Sequence, residues 1–183
     1  MRYAPTPVEG SLVVSLELRE DERGFFARML DSDEFSANGM ESVFPQINTS
    51  MSKAAGTLRG LHYQIAPRGE AKLIRCIRGA IYDVVVDMRA SSPTFLRWHG
   101  VELSAENRTM LYVPKGCAHG FMTLVDESEV LYPASALYSG PHERALRWDD
   151  SAIRIHWPRE PSVISEKDRN ARDFDINFHL SGY

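Results

Sequence analysis

Hydrophobic and polar residues alternate with a period of two along most of the chain. Such alternation over about four to eight residues is typical of β-strands with one buried face. Glycine, proline and serine residues separate the alternating segments and predict turns between them. Strands at this spacing indicate a β-sandwich or barrel rather than alternating strands and helices. The predicted strands are 11–20, 56–64, 71–79, 80–88, 97–104, 109–114, 119–125 and 129–138.

One segment, residues 32–40, has a helical pattern, with Ser32 expected as the N-cap and Gly39 expected to close the C-terminal end. The tail from about residue 159 is polar and interrupted by prolines, so we expect it to wrap the surface. No repeat or linker divides the sequence. Residues 1–183 are therefore predicted to form a single all-β domain, an antiparallel jelly-roll β-sandwich with short peripheral helices.

Composition and charge narrow the functional classes. Hydrophobic residues make up 43% of the chain and charged residues 25%, which is ordinary for a soluble globular protein. The formal net charge is -4 and basic residues do not cluster, which argues against nucleic-acid binding. No stretch is long and apolar enough for a membrane span, and the first residues lack a signal-peptide pattern. Two cysteines without an export signal predict reduced thiols in the cytoplasm.

Polar residues interrupt the predicted strands at positions where a buried face is expected. The segment 57–64, TLRGLHYQ, contains Arg59 and His62, which strict alternation places on opposite faces. They can share a cavity if the strand is irregular between them, and Gly60 is where a bulge is tolerated. Lys72 is the first residue on an otherwise apolar face of the next predicted strand. Each charge alone has an ordinary interpretation at the rim, but together they indicate a ligand site inside the roll.

Metal binding is the obvious alternative for a histidine inside a jelly roll. Metal-dependent rolls usually present two histidines one residue apart, followed by a glutamate and a third histidine. Here position 60, two residues before His62, is glycine, position 64 is glutamine, and His119 could be the later histidine. One or two imidazoles without a carboxylate make a poor site. The roll is therefore predicted to be metal-free.

Several distinctive blocks follow one another along the chain. They are DERGFFAR (21–28), QINTSMS (46–52), GTLRGLHYQ (56–64), AKLIRCIRGAIYDVVVDMR (71–89), SPTF (92–95), PKGCAHGFMTL (114–124), HERALRWDD (142–150) and SEKD (165–168). In order and spacing they resemble the dTDP-4-dehydrorhamnose 3,5-epimerase family over roughly residues 8–170. The resemblance implies a cupin jelly roll that needs no metal or other cofactor. It also implies a homodimer that acts on a dTDP-linked 4-keto-6-deoxyhexose.

The resemblance assigns catalytic roles to four residues. Epimerisation next to a ketone requires a base, a cation at the developing enolate oxygen and an acid on the opposite face. By resemblance His62 is the base and Asp168 the carboxylate that orients it. Lys72 matches the family's cation at the sugar oxygen. Tyr132 matches the acid, although a core aromatic is an equal interpretation from the residues alone.

Binding residues follow from the same resemblance. Arg59 matches the arginine that contacts the pyrophosphate, for which a planar bidentate donor is suited. Arg23 and Phe26 match a segment that reaches the neighbouring subunit's site in the family. The remaining positions are a polar pair at the nucleotide, a histidine in the sugar pocket, an aromatic that stacks on thymine, and two charged residues: Gln46 and Asn48, His119, Tyr138, Glu143 and Lys167.

Two departures from the family pattern leave the substrate open. Arg28 stands where well-known rhamnose-pathway members have glutamate, and Pro133 stands where lysine is common. The sequence therefore leaves open which deoxysugar is used, in which pathway, and whether C3, C5 or both are inverted.

Two other functional classes remain as alternatives. A sugar-nucleotide ketoisomerase usually has a second histidine close after the first, and residues 63–64 do not supply one. A non-catalytic nucleotide-sugar binding cupin is expected to have lost an acid or a base. The presence of all four catalytic positions therefore favours an epimerase.

Overall fold

The protein is described here by a computed structural model that covers residues 1–180. Within that range the regular secondary structure consists mainly of short strands. The strands are β1 (Arg2–Pro5), β2 (Leu12–Ser15), β3 (Arg19–Asp21), β4 (Gly24–Phe26), β5 (Gln46–Ser52), β6 (Thr57–Gln64), β7 (Lys72–Arg78), β8 (Ala80–Asp87), β9 (Trp98–Ser104), β10 (Met110–Val113), β11 (Cys117–Thr123), β12 (Ser128–Ala134), β13 (Glu143–Ala145) and β14 (Val163–Ile164). The helices are α1 (Ser32–Ala37), α2 (Glu166–Arg169) and α3 (Ile176–His179).

Two sheets pack face to face. The first has the order β1-β2-β10-β7-β12-β5, and the second has the order β13-β6-β11-β8-β9 with β14 parallel to β6. Strands β3 and β4 form a separate hairpin. Apolar side chains from both sheets fill the space between them and form the central core: Ile74, Cys76, Ile81, Val85, Leu103, Leu111, Val113, Cys117, Phe121 and Val130. This arrangement confirms the predicted antiparallel jelly-roll sandwich.

The outer face of each sheet is also covered in part. Phe35 of α1 packs on the first sheet against Leu73 and Met110. On the second sheet, Ile153 and Ile155 from the segment after β13 pack over the strands. Both faces of the central strands are therefore covered, most completely in β8, β10 and β11.

Most of the predicted strands are present, with different limits. The predicted strand 11–20 is divided into β2 and β3, because the chain leaves the first sheet to form the β3–β4 hairpin. The predicted strand 129–138 ends at Ala134. Strands β1, β4, β5, β13 and β14 were not predicted, since they are short, exposed or polar.

The predicted helix is present but its N-cap is one residue earlier than expected. Asp31 has an extended backbone, and its side chain accepts hydrogen bonds from the N–H groups of Asp33 and Glu34. Ser32 is therefore the first helical residue and not the cap. Gly39 follows the C-terminal cap with φ +72, a left-handed conformation that suits glycine, so its expected place at the helix end is confirmed.

Candidate active site

An irregularity in β6 brings Arg59 and His62 to the same cavity. His62 pairs with His119 of β11, whereas Arg59 pairs with Phe121, so the register shifts between these pairs. Gly60 lies at the shift with φ +116, and a Cβ there would stand 2.6 Å from the Cα of the facing strand. Only glycine fits this close approach. The predicted irregularity at this position is confirmed, and both polar side chains line one cavity.

His62 and Asp168 form a short hydrogen-bonded pair. His62 Nε2 lies 2.7 Å from Asp168 Oδ1, and the Gly60 N–H donates to Asp168 Oδ2 at 3.2 Å. Burial alone would raise the pKa of Asp168, but the hydrogen bonds and charge of His62 outweigh it and hold that pKa below its ordinary value. An ionised carboxylate accepts from Nε2–H, which leaves His62 Nδ1 as the basic ring atom.

The C-terminal tail supplies this carboxylate. Strand β14 adds to the edge of β6 in parallel, and α2 follows it directly. Ser165 caps α2 by accepting a hydrogen bond from the Asp168 N–H at 3.1 Å. Asp168 is buried, with 4% of its surface exposed. The tail, which was expected to wrap the surface, therefore enters the cleft and completes the pair with His62.

Lys72 lies at the first position of β7 and is buried. Its Nζ is 3.0 Å from Glu70 Oε1 and donates to the His62 carbonyl oxygen at 3.3 Å. An ammonium group in such a place is costly to bury unless it is paired, and the Glu70 carboxylate provides that pairing. Lys72 therefore presents a fixed positive charge beside the histidine pair.

Tyr132 approaches the cleft from the opposite sheet. It lies on β12 and pairs with Asn48 of β5, while its ring packs against the central core. Burial raises the pKa of Tyr132, and the negative charge of Glu70 raises it further against the opposing effect of Arg59. The phenol is therefore protonated at neutral pH and able to donate a proton.

These side chains line one continuous cleft. A cavity of about 420 Å³ contains Arg59, His62, Lys72, His119, Tyr132, Lys167 and Asp168. A second cavity of about 290 Å³ shares His62, Lys72 and Tyr132 with the first. The second cavity adds the predicted nucleotide-binding positions Gln46, Asn48, Tyr138 and Glu143. The structure thus brings together all the predicted site residues except Arg23 and Phe26.

The nucleotide-side residues are connected by hydrogen bonds. Tyr138 OH donates to Glu143 Oε2 at 3.2 Å, and Lys167 Nζ lies 2.7 Å from the same oxygen. Gln46 Nε2 donates to Asn48 Oδ1 at 3.0 Å. Burial would raise the pKa of Glu143, but Lys167 outweighs it and holds that pKa below its ordinary value. Because the Tyr138 side chain is mostly exposed, its ring is accessible for stacking.

Arg59 is anchored at one edge of its guanidinium. Its Nε donates to Ser52 Oγ at 3.0 Å, and Nη2 donates to the Met51 carbonyl oxygen at 3.1 Å. A guanidinium has five N–H donors, so further donors remain for a ligand. Two contacts to β5 hold the side chain in place at the mouth of the cavity.

Arg23 and Phe26 lie outside this cleft. Both belong to the exposed β3–β4 hairpin, where the Arg23 guanidinium pairs with Asp21 and the Phe26 ring is 60% exposed. Arg28, the departure from the family pattern, pairs with Asp31 at 3.1 Å. Within one chain the hairpin therefore contributes nothing to the residues gathered in the cleft.

Asp83 is a site residue that the sequence assignment missed. His119 Nε2 lies 2.7 Å from Asp83 Oδ1, and Asp83 is fully buried on β8. Burial raises the pKa of this carboxyl group. Among the described residues, its other oxygen has no hydrogen-bond partner. The signal was present in the sequence, since an aspartate on the inward apolar face of a strand requires a partner.

Histidines and carboxylates do not converge on a metal-binding arrangement in residues 1–180. His62 and His119 are cross-strand neighbours, but their imidazoles bind two different carboxylates, Asp168 and Asp83. Each histidine is thus committed to its own hydrogen-bonded pair.

The fold and the cleft define a class of protein, a cupin-type acid–base enzyme. The family model described as dTDP-4-dehydrorhamnose 3,5-epimerase matches residues 5–175. The chain therefore belongs to the dTDP-4-dehydrorhamnose 3,5-epimerase family, and the resemblance seen in its motifs is confirmed. Membership identifies the protein as an isomerase of the epimerase type.

Relatives match over most of their length. The dTDP-4-dehydrorhamnose 3,5-epimerase of Shigella flexneri is 43% identical over 175 residues, which cover 95% of this chain and 96% of the relative. The crystal structure of the enzyme of that name from Bacillus anthracis, with TDP and PPi bound, has a TM-score of 0.90 at 40% identity and covers 94% of this chain and 99% of its own. The crystal structure of a 3′-monoepimerase from Streptomyces bikiniensis in complex with dTDP-quinovose has a TM-score of 0.87 at 34% identity. The match covers 97% of this chain and 90% of that chain.

Proposed function

We propose that the protein epimerises a dTDP-linked 4-keto-6-deoxyhexose at a carbon next to the C4 ketone, as in deoxysugar biosynthesis of the dTDP-L-rhamnose type. The observation that carries the proposal is the convergence of His62 with Asp168, Lys72 and Tyr132 on one cleft from opposite sheets. Incubation with dTDP-4-keto-6-deoxyglucose should give new sugar signals in the proton NMR spectrum. An unchanged spectrum at high enzyme concentration would contradict the proposal.

Proton removal is assigned to His62. Its basic Nδ1 takes the proton from the substrate carbon, and the ionised Asp168 stabilises the imidazolium that forms. The 2.7 Å contact and the low pKa of Asp168 support this role, because the carboxylate stays charged across the neutral range.

Stabilisation of the enolate intermediate is assigned to Lys72. Removing the α-proton moves negative charge to the C4 oxygen, and a fixed ammonium group stabilises that charge without reorganisation. Lys72 lies beside His62 and lines both cavities, so one substrate oxygen can contact it while the neighbouring carbon faces the histidine.

Reprotonation is assigned to Tyr132. The phenol donates its proton to the enolate carbon from the sheet opposite His62, which inverts the centre. Tyr132 then carries a phenolate and His62 an imidazolium, and proton exchange with solvent returns both to their starting forms. The proposal covers inversion at C3, at C5 or at both, since the Streptomyces bikiniensis relative is a 3′-monoepimerase.

We assign the nucleotide to the cavity that contains Tyr138, with the thymine on the exposed ring. Support comes from the polar groups around it and from the Bacillus anthracis relative, which was solved with TDP bound. Arg59 is assigned to the pyrophosphate. The ketone-bearing sugar then lies among His62, Lys72 and Tyr132.

Replacing Arg59 by alanine should weaken binding of dTDP. Loss of a charge-assisted hydrogen bond is expected to cost about 1.5–3 kcal/mol. Isothermal titration calorimetry measures the effect, and a circular-dichroism spectrum like that of the unmodified protein shows that the fold is retained. Arg159→Ala, at an exposed arginine of the tail, is the matched control. An unchanged dTDP affinity would give Arg59 a purely structural role through Ser52 and Met51.

Activity should persist in excess chelator. The reason is that His62 and His119 are each engaged with a separate carboxylate, so the proposed chemistry relies on protein side chains alone. Turnover in EDTA and elemental analysis of the purified protein check this expectation. Loss of activity in EDTA that is restored by one added metal would contradict it.

We propose that the protein is a homodimer in which the β3–β4 hairpin reaches the neighbouring cleft. The support is the exposure of the hairpin: Phe25 and Phe26 are 50% and 60% exposed, and Arg23 is an exposed side chain that pairs with Asp21 and lines neither cavity of its own cleft. Exposed aromatic pairs are typical of contact surfaces.

Mixing two inactive variants tests the shared site. Arg23→Ala and His62→Ala subunits, mixed and allowed to exchange, should regain about a quarter of the unmodified activity, because half of the mixed dimers' sites are intact in a two-fold assembly. Mixing Lys72→Ala with His62→Ala is the control and should regain nothing, since both residues belong to the same chain's cleft. Absence of recovery in an exchanging dimer would contradict the shared site.

We place the protein in the cytoplasm. No helix within residues 1–180 is long and apolar enough to cross a membrane. Cys76 and Cys117 are buried free thiols, and burial raises their pKa values to about 11 and about 12. Thiols with such pKa values react slowly, which fits the expected reduced state. Labelling the native protein with a thiol reagent should therefore be slow at neutral pH.

A further inference from the structure

Glu70 is a largely buried carboxylate that takes no part in the proposed proton transfers. Its Oε1 is 3.0 Å from Lys72 Nζ, and the two side chains are only 11% and 10% exposed. It also lines the cavity that contains Tyr132 and the nucleotide-side residues. A charged side chain this close to the enolate-stabilising lysine is therefore part of the cleft.

The carboxylate of Glu70 is held from two directions. Gln64 Nε2 donates to its Oε2 at 3.1 Å. The adjacent Ala71 exchanges two hydrogen bonds with Ser135, from Ala71 N–H to Ser135 Oγ at 2.8 Å and from Ser135 N–H to the Ala71 carbonyl at 2.9 Å. The side chain of Glu70 and the backbone beside it are thus fixed relative to the end of β6 and the end of β12.

Lys72 needs such support. A lysine side chain is a flexible four-carbon stem with a point charge at its end, so its ammonium has no preferred direction of its own. Besides Glu70, the ammonium contacts the His62 carbonyl oxygen at the longer distance of 3.3 Å. A shift of about 1 Å in a group that must meet the substrate oxygen can cost on the order of 100-fold in rate.

We propose that Glu70 is a positioning residue that holds the Lys72 ammonium at the place where the enolate oxygen forms. The inference rests on the proposed epimerase function. The role is to place the ammonium through the ion pair and not to stabilise the enolate directly, because the negative charge of Glu70 opposes the enolate charge that Lys72 stabilises. An uncharged acceptor of the same shape should therefore retain part of it.

Two substitutions separate position from charge. Glu70→Ala should lower kcat roughly 10- to 100-fold with KM changed less than about twofold, because only a transition-state contact is displaced. Glu70→Gln should lose less kcat than Glu70→Ala, since its amide oxygen still accepts from Lys72 although the charge and the contact with Gln64 are lost. Glu102→Ala, at an exposed position of β9, is the control. An unchanged kcat in Glu70→Ala, or equal losses in the alanine and glutamine variants, would overturn the proposal.

A double-mutant cycle tests whether Glu70 acts through Lys72. In a Lys72→Ala background, adding Glu70→Ala should leave the residual kcat within about twofold, because the group being positioned is already absent. A further loss as large as in the native background would show an independent role and contradict the proposal.

A measurement without turnover separates this inference from the proposed function. The chain has four lysines, so the side-chain ammonium signals in a ¹⁵N-labelled sample are few, and Lys72→Arg identifies the Lys72 signal. Glu70→Ala should shift or broaden that signal, while Glu102→Ala should not. An unmoved Lys72 signal would overturn the positioning role. A moved signal in a protein without epimerase activity would contradict the proposed function alone.

Discussion

Replacing His62 by alanine is expected to abolish both epimerisation and exchange of substrate hydrogen with solvent deuterium. The imidazole is the assigned base, and loss of a positioned general base costs on the order of 10²–10⁴ in rate. Because exchange requires the same proton removal as inversion, the rates of exchange and of inversion should fall by the same factor. Mass spectrometry of substrate recovered from D₂O measures exchange, and proton NMR measures inversion.

The His62→Ala protein should still bind dTDP. The nucleotide-side residues are tied to one another through Glu143 rather than through His62. The matched control is His156→Ala, at an exposed histidine just before the tail, which should exchange and invert normally. Exchange at the unmodified rate in His62→Ala would show that another group removes the proton.

Replacing Tyr132 by phenylalanine is expected to block inversion while leaving some exchange. The phenol acts after the enolate has formed and from the opposite sheet, so its loss does not prevent proton removal by His62. The histidinium can exchange with D₂O and return a deuteron to the face from which the proton came. Recovered substrate should therefore contain deuterium with its configuration unchanged.

The contrast between these two variants tests the division of roles. Their separate losses need not add, since acid and base act on one intermediate. Tyr112→Phe removes another buried phenol, one that packs beneath α1 outside the cleft, and should behave as the unmodified protein does. Normal inversion by Tyr132→Phe would require a different acid.

Most strands were predictable, and strand β5 shows why one central part of the site was not. In β5 the apolar residues Ile47 and Met51 are 64% and 45% exposed, while Gln46, Asn48 and Ser50 alternate with them on the less exposed face. Polar side chains occupy the inward face of this strand and apolar side chains the outward face, which is the reverse of the usual arrangement. The reason is that the inward face forms a binding cleft. Hydrophobic alternation therefore does not distinguish it from a loop.

Asp168 shows a second limit. It lies in a polar tail, and its partner His62 is 106 residues earlier in the sequence. No local pattern connects two residues at such a separation, and a solvated tail position is the ordinary interpretation of an aspartate there. Only the family resemblance of the SEKD motif indicated the pair.

Asp83 and the Gly60 irregularity show how far physical reasoning from residues reaches. The bulge followed from the need to bring Arg59 and His62 to one cavity, and the register shift confirms it. Asp83 carried an equivalent signal, a charge on an apolar face, but its partner His119 lies on another strand. Local pattern thus identifies that a polar group needs a partner, whereas the topology decides which one it has.

Deuterium incorporation by the unmodified protein tests the proposed epimerase most directly. The protein is incubated in D₂O with dTDP-4-keto-6-deoxyglucose, and the recovered nucleotide sugar is examined by mass spectrometry and proton NMR. We predict deuterium at one or both carbons next to the ketone, together with inverted configuration at a labelled centre. Recovery of unlabelled sugar of unchanged configuration, from protein that binds dTDP, would contradict the assignment of this cleft to epimerisation.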